Sequence, residues 1–255
     1  MGTERLKQYY NERHAEDLDV DELDLVPASI RRPTHRVEAA FQVLRNRLPA
    51  GASVLEIGAG DGRLPESLRH AGVDFSTYTL MELSDVRLDG MRRHLSHDSY
   101  RFLLGDVENA TEYVQEPVDV VVMVALIEHL VDPLGAMQQL RKVLKPGGFA
   151  YIDTPNIAKW TRRVRLLAGR FPATAGINEG LTTFEHAPAM LYDGGHLHYF
   201  TYRSLELMLK ERCDFEKIER HSYFCGPFKL PVVLGHSLAR AWPAMFGEIA
   251  VTAYV

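Results

Sequence analysis

Residues 54–62 read VLEIGAGDG. An apolar run of strand character ends in Glu56, and Gly58, Gly60 and Gly62 then fall at every second position. The next segment reads as a helix, with Pro65 near its first turn and Gly72 just beyond its end. A strand, a glycine turn and a helix in that order bring bare backbone against a ligand at the carboxyl edge of a parallel sheet. The turn alone does not say which nucleotide-like ligand is held. The dinucleotide pattern G-x-G-x-x-G fails, because Arg63 stands where the third glycine would fall. No phosphate-binding lysine follows, which speaks against a nucleoside triphosphate.

Downstream, YTLMELSD (78–85) reads as a second strand ending in Glu82. An acid about 20 residues beyond such a turn can accept both hydroxyls of a ribose. FLLGDVEN (102–109) is a third strand ending in Gly105-Asp106, and VDVVVMVALIEHL (118–130) a fourth. LKPGGFAYIDTPN (144–156) is a turn plus a fifth. Upstream, Val37, Ala40, Phe41, Val43, Leu44 and Leu48 have helical spacing, and Pro49-Ala50-Gly51 ends that helix. Strand–helix alternation to about residue 156 is the pattern of a doubly wound parallel sheet.

Residues 157–200 break the alternation. A basic amphipathic stretch, IAKWTRRVRLLAGRF, leads to a loop-like run with Pro172, Gly176, Gly180 and Pro188, then to GGHLHYFT. A connection this long inside a compact domain is usually functional or disordered, and its aromatic and apolar content argues against disorder. A helix over 202–212, a strand near 214–223, an apolar helical stretch near 228–245 and a last strand, EIAVTAYV (248–255), complete the chain. Near the amino terminus, residues 3–15 read as a polar helix and DLDVDELD (17–24) as a solvated acidic loop.

Composition sets bounds. With 255 residues the chain suffices for one large domain or a domain plus a cap, and 46% hydrophobic and 25% charged residues are ordinary for a soluble protein. A net charge of −5 argues against a general nucleic-acid surface. Cys213 and Cys225 are too few for a disulfide framework. The start of the sequence lacks the apolar core of a signal peptide, and no apolar run reaches the length of a bilayer span. The expectation is a cytoplasmic protein without a membrane span, whose oligomeric state is left open.

The series E-x-G-x-G-x-G, D-V-V-V…L-I-E-H and L-K-P-G-G resembles the class I S-adenosylmethionine-dependent methyltransferases, strongly over residues 45–156. MVALIEHLVDP (123–133) resembles the small-molecule methyltransferases that include the ubiquinone-pathway O-methyltransferases. The resemblance implies a seven-stranded, mostly parallel α/β sheet whose last strand runs antiparallel between the fifth and sixth. It implies an amino-terminal helical segment (1–50), a cofactor-binding core (51–156), a substrate cap insertion (157–200) and a carboxy-terminal part of the sheet (201–255). S-adenosylmethionine is the implied cofactor. Gly58, Gly60 and Gly62 would let the backbone approach its amino-acid end, with Glu56 reaching its ammonium. Asp61 would do likewise or cap the following helix. Glu82, followed by Leu83, would clamp the ribose, Asp106 and the Val107 N–H would read adenine, and Met123 and Val124 would lie beneath the cofactor.

In the ubiquinone-pathway subgroup an acid three positions before the Glu-His pair helps form a metal site. Here that position is Ala125, so no metal is expected. His129 is either a general base, because imidazole titrates near neutral pH, or a buried ring bonding the backbone. His196 and His198, two apart, would face one side of an extended chain, with Asp193 orienting one of them. A zinc reading of H-x-H finds no cysteine cluster nearby. The place after the fourth strand holds neither the N/D-P-P-Y/F element of enzymes that methylate nucleobase or glutamine amines nor the Pro-Cys of the cytosine C5 enzymes. The resemblance implies a small-molecule acceptor, most simply at oxygen, with nitrogen or carbon as alternatives and a non-catalytic cofactor-binding module or protein-interaction partner as the competing class. Trp160, Phe171, Phe184, Tyr192, Tyr199 and Phe200 suggest a partly apolar acceptor, and Arg162, Arg163, Arg165 and Arg170 an anionic one.

Overall fold

The computed structural model describes residues 7, 8, 10–12, 23–175, 195–225 and 231–255. Seven strands form one sheet: β1 (Ala52–Ile57), β2 (Phe75–Glu82), β3 (Tyr100–Leu104), β4 (Val118–Val124), β5 (Leu144–Thr154), β6 (Lys217–Arg220) and β7 (Ile249–Tyr254). Their spatial order is β3-β2-β1-β4-β5-β7-β6. The first five pair in parallel, and β7 runs antiparallel between β5 and β6. Val120, Val121, Val122 and Met123 of β4 are fully buried, as a central strand covered on both faces requires.

The helices among the described residues are α1 (Arg36–Arg47), α2 (Arg63–His70), α3 (Asp85–His94), α4 (Ala110–Tyr113), α5 (Pro133–Val143), α6 (Trp160–Leu167), α7 (Tyr202–Cys213), α8 (Val232–Ala241) and α9 (Pro243–Phe246). Phe41, Leu44, Leu68 and Leu88 of α1–α3 pack on one face of the sheet with Tyr78 and Tyr151. Met137, Leu140, Leu205 and Leu209 of α5 and α7 pack on the other with Met123 and Ile152. Local chemistry sets the helix starts. The Asp132 side chain accepts from the Gly135 N–H ahead of Pro133, and Thr201 and Ser204 form a capping box. The strand order reverses about β1, so a crevice opens at the carboxyl ends of β1 and β4.

Two expected boundaries move. The apolar stretch near 228–245 divides into α8 and α9, because Pro243 begins a new helix after Trp242 leaves the helical region. The strand near 214–223 shortens to β6, since Asp214 takes the left-handed conformation that ends α7. Residues 7, 8 and 10–12 are helical, while the rest of 1–22 lies outside the described residues, as do 226–230 and 176–194 with Phe184, Tyr192 and Asp193.

A buried ion cluster ties α6 to the sheet. Glu248 receives Lys159 Nζ at 2.8 Å, Arg162 Nη1 at 2.9 Å and the Asn156 N–H at 2.8 Å. Burial by itself would raise the Glu248 pKa, but Arg162 and Lys159 more than offset it and hold it low. Arg162 is therefore committed to Glu248 and leaves the basic face read from the sequence. Glu248→Gln removes the charge that Lys159, 3% exposed, is paired with. It should lower stability by about 1.5–3 kcal/mol in urea unfolding at pH 7. The deficit should shrink as pH falls through the depressed folded pKa of Glu248, where the wild type loses the same charge.

Candidate active site

The crevice is a cleft of about 370 Å³ across the carboxyl ends of β1, β2 and β4. Gly58 and Gly60 line it with φ near +67° and +66°, a region that side chains rarely adopt. A Cβ on Gly60 would meet nothing within 4 Å, so the backbone there faces open space. Gly62 does something different. It caps α2 with φ of 79° and does not line the cleft, and a Cβ there would come within 2.5 Å of Leu95. Its place is in helix packing rather than at a ligand.

Glu82 lines the cleft, with Oε1 accepting from the Gly60 N–H at 3.1 Å and pairing ionically with Arg87 at 3.7 Å. Burial raises its pKa, opposed by Arg87 and by the N–H groups of Gly60, Leu83 and Ser84. Leu83, Asp106, Val107 and Val124 also line the cleft. Asp106 Oδ1 accepts from the Glu108 N–H at 3.0 Å, which fixes the short turn Val107–Asn109 against the opening. Asp61 lines the cleft and accepts from the Arg63 N–H at 3.0 Å, in the turn that precedes α2. Met123 does not line the cleft. It is fully buried among α5 and α7, because strand alternation sends it to the face opposite Val124.

Glu56 lines the deep end and is 4% exposed, with Oε2 taking the Tyr78 hydroxyl at 2.8 Å. Burial pushes its pKa up to about 8. Burial likewise pushes Glu128 up to about 7 and Asp153 up to about 8. All three folded-state values lie above the usual carboxylate value near 4, so the folded state binds more protons than the unfolded state between about pH 4 and 8. Stability conferred by these groups is complete below that window and is lost as pH rises through it. The ligand-free protein should therefore melt at a lower temperature at pH 8 than at pH 5.5, and Glu56→Gln should flatten that slope in a pH series of scanning calorimetry.

After β4, Ala125 adopts φ of 48°, a strained value for a non-glycine residue, and turns the chain across the cleft. The short turn Ile127–His129 follows. His129 lines the cleft, and its Nδ1 lies 3.0 Å from the Gly195 carbonyl. The returning insertion docks here, since the N–H groups of Leu197 and His198 both donate to the Glu128 carbonyl, at 2.8 and 3.1 Å. His196 stacks edge-on against His129 with centroids 4.7 Å apart, and its Nδ1 lies 2.6 Å from Thr174 Oγ1. It is 7% exposed and sits behind His129, outside the cleft lining. His198 is half-buried beside Phe200 and does not line the cleft either. His196 and His198 thus do not share the cleft.

Glu128 is the residue that sequence reasoning undervalued. It is 1% exposed, Oε2 accepts from Thr154 Oγ1 at 2.9 Å, and Oε1 lies 3.9 Å from His196 Nε2 without a hydrogen bond. Glu128, His129 and His196 place one donor atom each within 4.8 Å of one another. Ala125 adds no fourth donor. Arg36, at the start of α1, lines the cleft too, and no local pattern could have placed it there.

Similarity to known proteins agrees with this geometry. The pattern of the family described as methyltransferase domain matches residues 29–219. The chain belongs to the methyltransferase domain family. The open cradle at Gly60 and the carboxylate of Glu82 beside it fit an S-adenosylmethionine cofactor. Among curated relatives, the ubiquinone biosynthesis O-methyltransferase of Actinobacillus pleuropneumoniae serotype 5b (strain L20) is 33% identical over 112 residues, 42% of this chain and 47% of that one. Its counterpart in Nitrosospira multiformis is 28% identical over 134 residues, 51% of this chain and 55% of that one. The matches to these relatives span about half of their length. Among solved structures, the plantazolicin methyltransferase in complex with a triazolic desmethylPZN analog and SAH aligns with a TM-score of 0.60 at 15% identity, over 98% of this chain and 94% of that chain. A SAM-dependent methyltransferase from Archaeoglobus fulgidus aligns with a TM-score of 0.53 at 13% identity, over 86% and 94% of the two chains. At such identities these two show the shared fold. No helix of the described residues is long and apolar enough to cross a membrane.

Proposed function

We propose that this methyltransferase moves a methyl group from S-adenosylmethionine to an oxygen of a small molecule, with His129 taking the proton. The observation that carries the reading is the 3.0 Å contact of His129 Nδ1 with the Gly195 carbonyl. A carbonyl only accepts, so Nδ1 carries the hydrogen, and the neutral ring holds its acceptor lone pair on Nε2. His129 lines the same cleft as the cofactor-binding residues, where a hydroxyl held in line with the methyl would need a base. The curated relatives, named as O-methyltransferases, support oxygen as the acceptor atom.

When bound, the cofactor supplies an electrophilic methyl on a sulfonium whose departure leaves a neutral thioether. The chain's part is to bind, orient and remove a proton. Glu82 holds the ribose hydroxyls, Asp106 and the Val107 N–H hold adenine, and Gly58 and Gly60 admit the amino-acid end with Glu56 and Asp61 near its ammonium. Val124 and Leu83 supply apolar walls. His196 is a positioning residue, since it touches the His129 ring from behind rather than the cleft.

Labelled cofactor incubated with panels of phenols, carboxylic acids and amines tests the proposal. Labelled methyl ether from wild type, absent with Glu82→Ala, is the expected result. Cofactor binding without turnover on any panel would instead make the chain a binding module, and label on amines alone would move the acceptor to nitrogen.

A further inference from the structure

A second cleft, of about 680 Å³, lies away from the cofactor, between the opposite side of α1, the end of β6 and α8. Among the described residues its lining holds five arginines and two histidines but no lysine and no carboxylate, so its charge is positive although the chain carries a net −5. Two of these arginines are internally satisfied. Arg47 pairs with Glu219 at 2.7 Å, and Arg220 forks onto Glu206 at 2.5 and 2.7 Å. Arg31, Arg32 and Arg240 form no ion pair among the described residues. A second, independent feature points into the same place. His236 of α8 lines the cleft and is 9% exposed, yet its Nε2 has no hydrogen-bond partner. Its ring lies beside the backbone of Arg32 and Pro33, and Arg32 and Arg240 both lie close enough to act on its charge.

Arg31, Arg32 and Arg240 are exposed and hydrated, so they cost nothing by themselves, but they rim a cleft whose buried His236 Nε2 lacks a hydrogen-bond partner, and a phosphoryl group held there would meet both. Guanidinium forks match the paired oxygens of a phosphoryl group better than ammonium groups do, and the lining uses arginine rather than lysine. The volume lies in the range of small-molecule sites. From this we infer that the cleft formed by Arg31, Arg32, Arg240 and His236 binds a phosphate-bearing small molecule, separately from the methyl-transfer cleft. α1 is the wall between the two. Arg36 and Val37 face the cofactor side, and Gln42, Asn46 and Arg47 the basic side.

Calorimetric titration of the full chain with sodium pyrophosphate, and with inorganic phosphate, tests this. Saturable one-to-one binding of pyrophosphate is expected, with phosphate weaker. The double variant Arg32→Ala/Arg240→Ala should lose at least about tenfold in pyrophosphate affinity, the scale of one lost charged hydrogen bond. S-adenosylhomocysteine titrated into the same samples should bind both proteins equally, which keeps a folding defect, or a failure of the methyl-transfer reading, distinct from a failure of this one. The ring resonances of His236 should shift on adding pyrophosphate. No saturable binding, or equal binding by wild type and the double variant, would overturn the inference. So would an RNA oligomer outcompeting pyrophosphate with the same dependence on Arg32 and Arg240, which would make the cleft a nucleic-acid surface.

Discussion

Replacing His129 with Ala should lower kcat by roughly 10²–10⁴ and leave S-adenosylhomocysteine affinity nearly unchanged. The range is what a positioned base contributes to proton transfer. The affinity should hold because the cofactor's expected partners, Glu82, Asp106 and the glycine turn, lie on other elements than the Ile127–His129 turn. His129→Asn makes the result specific, since it can keep a hydrogen bond to the Gly195 carbonyl while supplying no basic lone pair. It should fold and bind cofactor like wild type and be as slow as the alanine variant. His196→Ala should act less and by another route. It removes the ring that rests against His129, so turnover should fall while the pH dependence of kcat keeps its base limb. Steady-state rates across pH 5.5–9, with cofactor affinity measured alongside, separate these outcomes. Wild-type turnover in His129→Asn would end the general-base assignment, leaving positioning to carry the acceleration.

Gly60→Val should weaken cofactor binding by about a thousandfold. Two costs act together. At φ of +66° a β-branched residue is strained by about 1–3 kcal/mol, which drives the turn out of its ligand-ready shape. Its side chain would also project into the open space beside Gly60 that the cofactor is expected to fill. At about 1.4 kcal/mol per tenfold, the strain and the lost space together reach this size. Gly60→Ala is the contrast. Its Cβ clashes with nothing in the protein and brings only the left-handed strain of about 1–2 kcal/mol, so a loss of affinity beyond roughly tenfold must come from the ligand side. Calorimetry with S-adenosylhomocysteine on both variants reads the difference. Unchanged affinity in Gly60→Val would remove the glycine turn from the binding site.

The sequence made the sheet legible because its strands carry strong local signals. A run such as VDVVVMV allows little but a central strand, and the acids closing β1 and β2 fall beside the glycine turn through parallel register. The resemblance, rather than periodicity, supplied the antiparallel place of β7. Errors arose where side-chain direction depends on tertiary detail. Met123 and Val124 are neighbours on one strand and must face opposite sides, so only one could line the cleft. Gly62 continues the glycine spacing yet answers to Leu95. The shared-face argument for His196 and His198 assumed an extended chain. Gly195 at φ of 91° and the shared Glu128 carbonyl bend that segment, so the alternation does not hold. Glu128 was visible as a residue, but its buried, half-satisfied carboxylate exists only once the turn after β4, Thr154 and His196 have met.

The docking of residues 195–198 onto the turn after β4 also fixes where this protein can be recombined. The orientation of His129 travels with Gly195, near the end of the connection from β5 to α7. A graft that replaced everything through Phe200 would discard the Gly195 carbonyl that His129 Nδ1 meets. A chimera exchanging only residues 176–194, and keeping Thr174 and Gly195 through Phe200 native, preserves both anchors of the histidine pair. The productive seam for redesign is thus inside the insertion, one residue before Gly195, rather than at the border of the sheet.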